Sequence, residues 1–302
     1  MRVAVLDLGT NTFNLLIADV NGSSYTEVFR TREVVKLGQG TITSNVISEE
    51  AFSRGINALK NLSANISQYK VDIIKTLATS AIRDANNKEE FIAEAKKQTN
   101  LDIETITGDQ EAELIYYGNR MAFPNKNETC LIMDIGGGSN EFIIANAQTV
   151  FWKQSFKLGV ARLLLMFNPE DPIQETTKQN INNYLAQELQ PLLAELKKYN
   201  ITQLVGSSGA FESVVDMIGK EDTTTQKNWY EIAMDDYWSI SKQTIPSTAQ
   251  QRQHMKGLIP MRRDMIVLSY ILIDFIINHC NIKKLGLSTY SLKEGAVTLF
   301  FK

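Results

Sequence analysis

Residues 134–141 read DIGGGSNE, and they separate two apolar runs, CLIM at 130–133 and FIIA at 142–145. Three consecutive glycines stand between two acids, Asp134 and Glu141. A two-residue hairpin turn needs no more than one or two glycines with positive φ, and it has no use for an acid at each end. Because glycine lacks the Cβ that keeps other groups away from the backbone, the stretch predicts a strand, a turn that a ligand approaches closely, and a second strand.

The same unit occurs at the start of the chain. LDLGTNTFNLLIA at 6–18 aligns without a gap with MDIGGGSNEFIIA at 133–145, and the alignment places Asp7 over Asp134. A third glycine-containing loop, GSSG at 206–209, follows another apolar run. One such turn alone is equally well explained by a strained hairpin with a glycine bulge. Two aligned copies and a third loop favour turns that hold phosphate groups.

The rest of the chain alternates helical and extended patterns. Ser48, followed by two glutamates, predicts the start of a helix, and Pro191 predicts a break inside a later one. Further predicted elements are a strand at 72–79, a helix at 88–100, a strand at 102–107, a helix at 108–123, a long helix at 176–200, a strand, loop and helix at 201–219, a mostly helical stretch, and a strand, loop and final helix at 283–301. This alternation predicts an α/β protein. We expect two domains, 1–124 and 125–302, with the final helix packing back on the first.

The composition limits the partners that the protein can have. The 31 Lys and Arg residues nearly balance the 34 Asp and Glu residues, so the formal charge of −3 gives no field that would attract nucleic acid or an acidic membrane. Asp7 comes too early for a secretory signal, and Asp274 interrupts the longest apolar stretch, which is shorter than a bilayer span. We therefore expect a cytoplasmic protein. Cys130 and Cys280 are expected to be core thiols, and no Cys/His cluster has the spacing of a zinc site.

The acids that precede the two aligned turns suggest a metal. A carboxylate repels phosphate, but a carboxylate that holds Mg²⁺ can bring phosphate oxygens close while backbone N–H groups of the turn bind them. Thr10 and Ser139 would add hydroxyl donors. The residues therefore predict a phosphate site in which Asp7 and Asp134 stand beside the metal.

Seven segments carry a resemblance to a known family. They are DLGTNTF, ATSAIRDANN, GDQEAELIYYG, DIGGGSNE, SFKLGVARL, VGSSGAFESV and LSTYSLKEGA. In this order and spacing they resemble the exopolyphosphatase and guanosine pentaphosphate phosphatase (Ppx/GppA) family, a branch of the actin-like ATPase superfamily. The resemblance covers essentially the whole chain and points to the short two-domain form. It implies two actin-like (ribonuclease H-like) lobes with a ligand cleft between them.

The resemblance also implies hydrolysis of a terminal phosphoanhydride bond and gives roles to individual residues. Glu111 is similar to the family's catalytic glutamate, which would orient or deprotonate the attacking water. Asp134 and Glu141 would hold Mg²⁺, with Asp7 as an additional ligand. The predicted phosphate-binding residues are Gly9, Thr10, Asn11, Arg83, Gly136, Gly137, Gly138, Ser139, Ser207, Ser208 and Gly209.

Several assignments have simpler alternatives. Glu111 by itself reads as a solvated acid in the first turn of a helix. Arg83, whose planar fork suits phosphate oxygens, is alternatively a partner of Asp84 or Glu89 in an ion pair of little energetic value. Three positions depart from the family pattern: Gln110 stands where an acid is common, Asn140 where Thr or Ser is common, and Lys293 where Arg is usual.

The predicted function is Mg²⁺-dependent release of the terminal phosphate of inorganic polyphosphate. Short chains are expected because basic residues occur as scattered pairs, Arg262-Arg263 and Lys283-Lys284, rather than as a long track. Within the same chemistry, the alternative is hydrolysis of the 5′-phosphate of guanosine pentaphosphate, pppGpp. An actin-like small-molecule kinase and a non-catalytic alarmone sensor are more distant alternatives. The nucleotide ppGpp as an inhibitor and a homodimer are further expectations.

Two groups of residues can be interpreted either as parts of a binding site or as ordinary core and surface residues. The aromatic residues of NWYEIAMDDYW, among them Trp229 and Trp238, suit either a guanine-stacking surface or the core, and the core is preferred. The two basic pairs suit either anion contacts or a solvated surface.

Overall fold

The computed structural model describes residues 1–219 and 227–302 of the 302-residue chain. Contacts group them into two compact units. Unit 1 comprises Met1–Gly118, Gly136–Gly138 and Ser291–Lys302, and unit 2 comprises Asn119–Ile135 and Ser139–Tyr290. Because these are groupings by contact, the predicted domain bounds at residues 124 and 125 stay a prediction.

Unit 1 contains a five-stranded mixed sheet. Its strands are β1 (Arg2–Leu8), β2 (Thr12–Asn21), β3 (Ser24–Val34), β4 (Ile73–Ala78) and β5 (Ile103–Thr105), in the spatial order β3-β2-β1-β4-β5. The first three strands are antiparallel neighbours, whereas β4 and β5 run parallel to β1. The helices that follow are α1 (Gly38–Ser44), α2 (Glu49–Ser67), α3 (Ser80–Arg83), α4 (Lys88–Thr99) and α5 (Gly108–Ala122), of which α5 continues into unit 2.

Unit 2 contains a six-stranded sheet. Its strands are β6 (Cys130–Ile135), β7 (Asn140–Ala145), β8 (Val150–Phe156), β9 (Gln203–Ser207), β10 (Trp229–Ile232) and β11 (Lys284–Ser288), in the order β10-β11-β9-β6-β7-β8. The helices are α6 (Val160–Phe167), α7 (Glu175–Glu188), α8 (Gln190–Leu196), α9 (Gly209–Ile218), α10 (Met234–Thr244), α11 (Ala249–Gln253) and α12 (Ile266–His279). The last helix, α13 (Leu292–Val297), belongs to unit 1, and short 3₁₀ turns lie at Pro260–Arg262 and Thr298–Phe300.

The two sheets are built alike, which confirms the internal repeat. The order β3-β2-β1-β4-β5 corresponds to β8-β7-β6-β9-β11, and β10 is an additional antiparallel edge strand in unit 2. The hairpin registers also agree, since Asp7 lies opposite Asn14 and Asp134 lies opposite Glu141. Each acid is therefore seven residues from its cross-strand partner, as the gapless alignment requires.

Strand alternation fixes where the acids lie. Leu6 and Leu8 of β1 pack in the core of unit 1, and Met133 and Ile135 of β6 pack in the core of unit 2. Successive side chains of a strand point to opposite faces of the sheet. The side chains of the acids between these core residues therefore lie on the face opposite that core.

The structure differs from the sequence-based prediction in two places. Each repeat has three antiparallel strands rather than two, because β3 and β8 extend the hairpins. The stretch predicted to be mostly helical contains β10, which pairs with β11. Other local predictions are confirmed: the Ser48 hydroxyl accepts a hydrogen bond from the N–H of Ala51 at 3.3 Å, and Pro191 stands at the start of α8, just after the end of α7.

The final helix is held close to unit 1 by two glycines. A Cβ on Gly295 would lie 1.7 Å from the carbonyl oxygen of Leu114, and a Cβ on Gly118 would lie 2.2 Å from that of Ser291. Helices α5 and α13 therefore touch through backbone, which only glycine permits at these positions.

Two sequence-based expectations concern the core and the membrane. Cys130 is buried and Cys280 is partly buried against the core of unit 2, and burial raises the pKa of each thiol to about 12. Among the described residues, no helix has the combination of length and apolar character that a membrane span requires.

Candidate active site

A row of four polar side chains crosses the sheet of unit 2. In register, Ser207 of β9 lies beside Asp134 of β6, Asp134 lies opposite Glu141 of β7, and Glu141 lies opposite Ser155 of β8. Residues that are neighbours in register point to the same face. The order serine, carboxylate, carboxylate, serine, here called the acidic row, is thus set by backbone pairing.

Serine hydroxyls hold Asp134 firmly. The Asp134 side chain is buried, with 5% exposure. The Ser207 hydroxyl donates to Oδ2 at 2.7 Å, and the Ser208 hydroxyl lies 2.7 Å from Oδ1 and 2.8 Å from Oδ2. Asn119 in turn donates to the Ser207 hydroxyl at 3.4 Å. Both carboxylate oxygens therefore accept short, charge-assisted hydrogen bonds, which fix the plane of the carboxylate.

The backbone of Ser208 is strained. Its φ of 67° and ψ of −175° lie in a region that is otherwise nearly restricted to glycine. Ser208 is also the N-cap of α9, a position where a serine side chain usually accepts a hydrogen bond from the first turn, yet its hydroxyl makes no such bond. The hydroxyl is directed to Asp134 instead.

Glu141 is held in a similar way from the other side. It is 1% exposed, and the Ser155 hydroxyl donates to its Oε1 at 2.6 Å. Each carboxylate of the acidic row thus has a serine donor on the strand that flanks it. No role was assigned to Ser155 from the sequence, although the residue opens the segment SFKLGVARL.

The equivalent row of unit 1 has a different composition. Leu77, Asp7, Asn14 and Arg32 are the register neighbours across β4, β1, β2 and β3. The Asn14 amide donates to Asp7 Oδ2 at 3.1 Å. This second row, here called the amide row, carries one carboxylate, one amide and one guanidinium.

Side chains of Ser80, Thr10 and Asn11 lie close to the backbone of the glycine-rich turn. A Cβ on Gly138 would lie 2.4 Å from the Ser80 hydroxyl and 2.8 Å from that of Thr10, and a Cβ on Gly137 would lie 2.7 Å from the Asn11 amide nitrogen. The sequence predicts close approach by a ligand; the structure shows that side chains of unit 1 already demand these glycines. Ligand binding by the turn stays a prediction.

Glu111 and Arg83 form a pair in unit 1. Arg83 Nη1 donates to Glu111 Oε2 at 2.9 Å and to the carbonyl oxygen of Ile106 at 3.1 Å, and its Nε lies 3.4 Å from Asp84 Oδ1. Glu111 has only 7% exposure, so it is not a solvated acid. Both the ion pair with Asp84 and a bond to Glu111 are present, and Glu111 is the closer carboxylate.

The sequence profile of the Ppx/GppA phosphatase family matches residues 16–299. The chain belongs to this family. The crystal structure of an exopolyphosphatase from Cytophaga hutchinsonii has 36% sequence identity and a TM-score of 0.96, covering 100% of this chain and 99% of that one. The Aquifex aeolicus PPX-GPPA enzyme has 23% identity and a TM-score of 0.83, with 99% of both chains covered. These likenesses confirm the predicted α/β fold, which is that of the Ppx/GppA proteins.

Two relatives extend the comparison at the sequence level. A Haemophilus influenzae protein described as a candidate exopolyphosphatase is 26% identical over 296 residues, which are 98% of this chain and 90% of that protein. A bifunctional 3-dehydroquinate synthase/phosphatase of Fusobacterium nucleatum is 30% identical over 292 residues, which are 91% of this chain. The chain spans only 43% of that second protein.

The three departures from the Ppx/GppA pattern have local explanations. The side chain of Gln110 accepts from the N–H of Thr107 at 2.8 Å, and the Thr107 hydroxyl accepts from the N–H of Gln110 at 3.2 Å, so together they cap α5. Asn140 donates to the carbonyl oxygen of Leu158 at 2.6 Å. Lys293 Nζ lies 3.1 Å from the fully buried Glu294.

The basic pairs and the aromatic segment are engaged within unit 2. Arg262 donates to Glu212 Oε2 at 2.7 Å, and its guanidinium lies so close to Gly209 that a Cβ there would be 2.4 Å from Cζ. Lys284 pairs with Glu128 at 2.9 Å. Tyr230 and Tyr237 of the aromatic segment are buried in the core, as preferred from the sequence. Trp238 lies edge-on against Tyr237, and the partly buried Trp229 ring lies against Gly286.

The donor set of the acidic row fits Mg²⁺. No cluster of three or more His, Cys, Asp or Glu side chains suited to a metal occurs within residues 1–219 and 227–302. Mg²⁺ does not require one, because it usually binds through one or two carboxylates, waters and substrate phosphates. Directly opposite residues have Cβ atoms about 4.5–5.5 Å apart, so Asp134 and Glu141 present two carboxylates side by side. Asp7 as an additional ligand stays a prediction.

The predicted site residues fall into two sets. Unit 1 holds Glu111, Arg83, Asp7, Gly9, Thr10, Asn11, Gly136, Gly137 and Gly138, and unit 2 holds Asp134, Glu141, Ser139, Ser207, Ser208 and Gly209. The structure adds three residues that were assigned no role from the sequence: Asn14 in unit 1, and Asn119 and Ser155 in unit 2. Asn14 and Ser155 are found because each lies directly opposite a residue of the predicted site, Asp7 and Glu141 respectively, in the strand register.

Proposed function

We propose that this protein is an exopolyphosphatase, which releases the terminal phosphate of inorganic polyphosphate with Mg²⁺ and water. The observation that carries the proposal is the acidic row, in which Asp134 and Glu141 lie side by side at the two ends of the glycine turn. The name of the Cytophaga hutchinsonii structure, 36% identical over the full length, supports polyphosphate as the substrate.

Different residues of the chain would have different roles in phosphoryl transfer. Asp134 and Glu141 would hold Mg²⁺, which when bound supplies positive charge to the phosphate oxygens. Backbone N–H groups of the two aligned turns, with the hydroxyls of Thr10 and Ser139, would bind those oxygens. Because transfer to water passes through a loose transition state, such positioning and charge neutralisation account for most of the catalysis.

Glu111 would act as the general base. As the water oxygen forms its bond to the terminal phosphorus, the Glu111 carboxylate accepts a water proton, and the bond from phosphorus to the bridging oxygen breaks. The products are orthophosphate and a chain shorter by one phosphate. Arg83, bonded to Glu111 Oε2, orients the base and adds positive charge beside it.

Several finer features are proposals of the same kind. Short chains are favoured because, within residues 1–219 and 227–302, Arg262 and Lys284 of the two basic pairs are already paired with acids. Inhibition by ppGpp and a homodimer rest on the family resemblance alone, and a cytoplasmic location rests on the sequence alone. Hydrolysis of pppGpp is the second candidate, since its 5′ end presents the same terminal phosphoanhydride.

The test is phosphate release with Mg²⁺ from polyphosphates of graded length and from pppGpp, side by side, for the wild type and for Glu111→Gln. We expect kcat of Glu111→Gln to fall by about 10²–10⁴-fold, the usual contribution of a general base, with KM nearly unchanged. Glu90→Gln, an exposed acid on α4, is the matched control and should keep wild-type rates. Full activity of a folded Glu111→Gln would remove Glu111 from the mechanism. Phosphorylation of an acceptor by ATP without phosphate release would indicate a kinase.

A further inference from the structure

The hydroxyls of both serines of the GSSG loop bond to the carboxylate of Asp134. A hydroxyl has one hydrogen to donate. The Ser207 hydroxyl donates to Asp134 at 2.7 Å, and the Ser208 hydroxyl is shared between both oxygens of the same carboxylate. While these bonds exist, neither hydroxyl can donate to a phosphate oxygen.

The strain at Ser208 supports the same conclusion. Backbone angles in a region that only glycine tolerates well cost on the order of 1–3 kcal/mol and persist where the surroundings enforce them. A glycine at position 208 would avoid that cost. The serine places its hydroxyl on Asp134, which glycine could not do, so the bond to Asp134 offsets the strain.

The donor on Glu141 comes from a different strand. Ser155 lies on β8, at the opposite end of the acidic row from Ser207, and its hydroxyl donates to Glu141 at 2.6 Å. A serine at each end of the row therefore fixes the carboxylate next to it. Carboxylates that ligate a metal are commonly held by such outer partners.

We propose that Ser155, Ser207 and Ser208 are positioning residues, which hold the carboxylates of Asp134 and Glu141 in the geometry that a divalent cation requires. The proposal deepens the proposed function by naming how its cation site is built. It concerns cation binding by the free protein, and it can therefore hold or fail whether or not polyphosphate is the substrate.

The experiment is calorimetric titration of the substrate-free protein with Mg²⁺. We expect Ser207→Ala and Ser208→Ala each to weaken Mg²⁺ binding by about 10–100-fold, the usual loss for an outer partner of a metal ligand, and Ser155→Ala by about tenfold. Ser207→Thr should restore affinity, because it keeps the hydroxyl and a branched residue suits a strand. Ser208→Gly relieves the strain but lacks the hydroxyl, so it should bind as weakly as Ser208→Ala while unfolding at a higher temperature.

Ser241→Ala is the matched control for general loss of a buried hydroxyl. Ser241 is 1% exposed and donates to another partly buried carboxylate, Asp274, at 2.8 and 2.9 Å. This variant loses the same kind of bond outside the acidic row, so it should be destabilised but bind Mg²⁺ like the wild type. Equal weakening by Ser241→Ala would indicate a merely structural effect and would overturn the proposal.

Two further outcomes count against it. If the Ser207 and Ser208 variants kept wild-type Mg²⁺ affinity but showed a raised KM for polyphosphate, the hydroxyls would be phosphate ligands. If the wild type bound no Mg²⁺, the row would not be a cation site. By contrast, weakened Mg²⁺ binding in a protein that does not hydrolyse polyphosphate would support the positioning role and refute the proposed function.

Discussion

The two hairpins of this protein share a backbone and differ in chemistry. In β1 and β2, Asp7 lies opposite Asn14; in β6 and β7, Asp134 lies opposite Glu141, in the same register. One carboxylate is thus paired with an amide and the other with a second carboxylate. Like charges placed directly opposite destabilise a sheet, and the proposed cation site would account for keeping two of them together.

The outer positions of the two rows show the same contrast. Leu77 and Arg32 flank the amide row, whereas Ser207 and Ser155 flank the acidic row. When all groups are ionised, the side chains of the amide row sum to zero charge and those of the acidic row to two negative charges. Since a hard divalent cation prefers anionic oxygen ligands, the difference favours the acidic row as its main site.

The turns of the two hairpins are also unlike. Thr10 and Asn11 align with Gly137 and Gly138, and the side chains of the first turn occupy the space that Cβ atoms of the second would need. The two copies of the repeat have therefore diverged: the turn of the first hairpin carries side chains, and the turn of the second has glycines that leave space for those side chains. This accounts for three glycines in one copy and one in the other.

The largest expected effect tests which row holds the metal. Asp134→Asn should weaken Mg²⁺ binding by at least about 100-fold, the upper end of the loss for an outer partner, because it removes a direct anionic ligand. Asp7→Asn should change binding by less than about tenfold, since Asp7 is paired with Asn14. Calorimetric titration of both variants with Mg²⁺ gives the comparison. The reverse ranking would place the metal on the amide row.

The next effect tests the difference between the turns. Gly138→Ala should destabilise the protein by about 1–3 kcal/mol, as is usual when a tight site is overpacked, because the new Cβ would meet Ser80 and Thr10. Gly9→Ala is the matched change in the other turn, where the Cβ would lie 3.0 Å from the carbonyl oxygen of Thr12. There the clash is smaller, and the reduced entropy of the unfolded chain offsets it by about 0.4–1 kcal/mol.

Urea denaturation of both glycine variants measures this effect. Midpoints should differ while the m-values stay equal, which would assign the change to stability rather than to the denatured state. If both variants unfolded at the same midpoint, the close approach of Thr10 and Ser80 to the glycine turn would not matter energetically.

The equivalence of the two hairpins could be predicted from the sequence, because each hairpin is built from residues that are close together along the chain. The gapless alignment of 6–18 with 133–145 predicts both hairpins and gives Asp7 and Asp134 equivalent positions. Strand alternation then predicts that the acids face away from the core, since each lies between two core residues. The motifs also single out Glu111 and Arg83, whose roles stay predictions.

The hydrogen-bond partners of these residues could not be predicted from the sequence, because they depend on contacts between segments that are far apart along the chain. Ser155 reaches Glu141 only through the register of β7 and β8, which includes an irregularity at Ile144 and Ala145. The bond between Arg83 and Glu111 joins a short helix to the first turn of α5. Whether the Ser207 and Ser208 hydroxyls bond a phosphate or a carboxylate depends on the direction in which they point. The amino-acid sequence alone does not show that direction.

One strand was missed for a different reason. β10 has four residues, and it stands between helices in a stretch with no alternation long enough to indicate a strand. It forms because Trp229 to Ile232 pair with β11, where the Trp229 ring covers Gly286. Tertiary pairing overrode the local pattern.

The smallest expected effect tests whether the two carboxylates of the acidic row repel each other. In the presence of EDTA, Glu141→Gln should stabilise the protein by about 0.2–1 kcal/mol, the size of a cross-strand pair effect, because the glutamine still accepts from Ser155 but carries no charge. Such a change shifts the melting temperature of a large domain by no more than about 4 °C. Asn14→Asp is the converse change, since it places a second acid opposite Asp7, and it should lower the melting temperature.

Adding Mg²⁺ should reverse the order of stability for Glu141→Gln. A ligand that binds only the folded state stabilises it in proportion to the logarithm of its concentration relative to Kd, and the variant has lost a ligand for the cation. The wild type should therefore gain melting temperature with Mg²⁺ while Glu141→Gln gains little. Glu231→Gln, an exposed acid on β10, should behave as the wild type in both conditions. If Glu141→Gln lowered the melting temperature in EDTA, Glu141 would contribute favourable contacts that outweigh any repulsion by Asp134, and the acidic row would be stable without a cation.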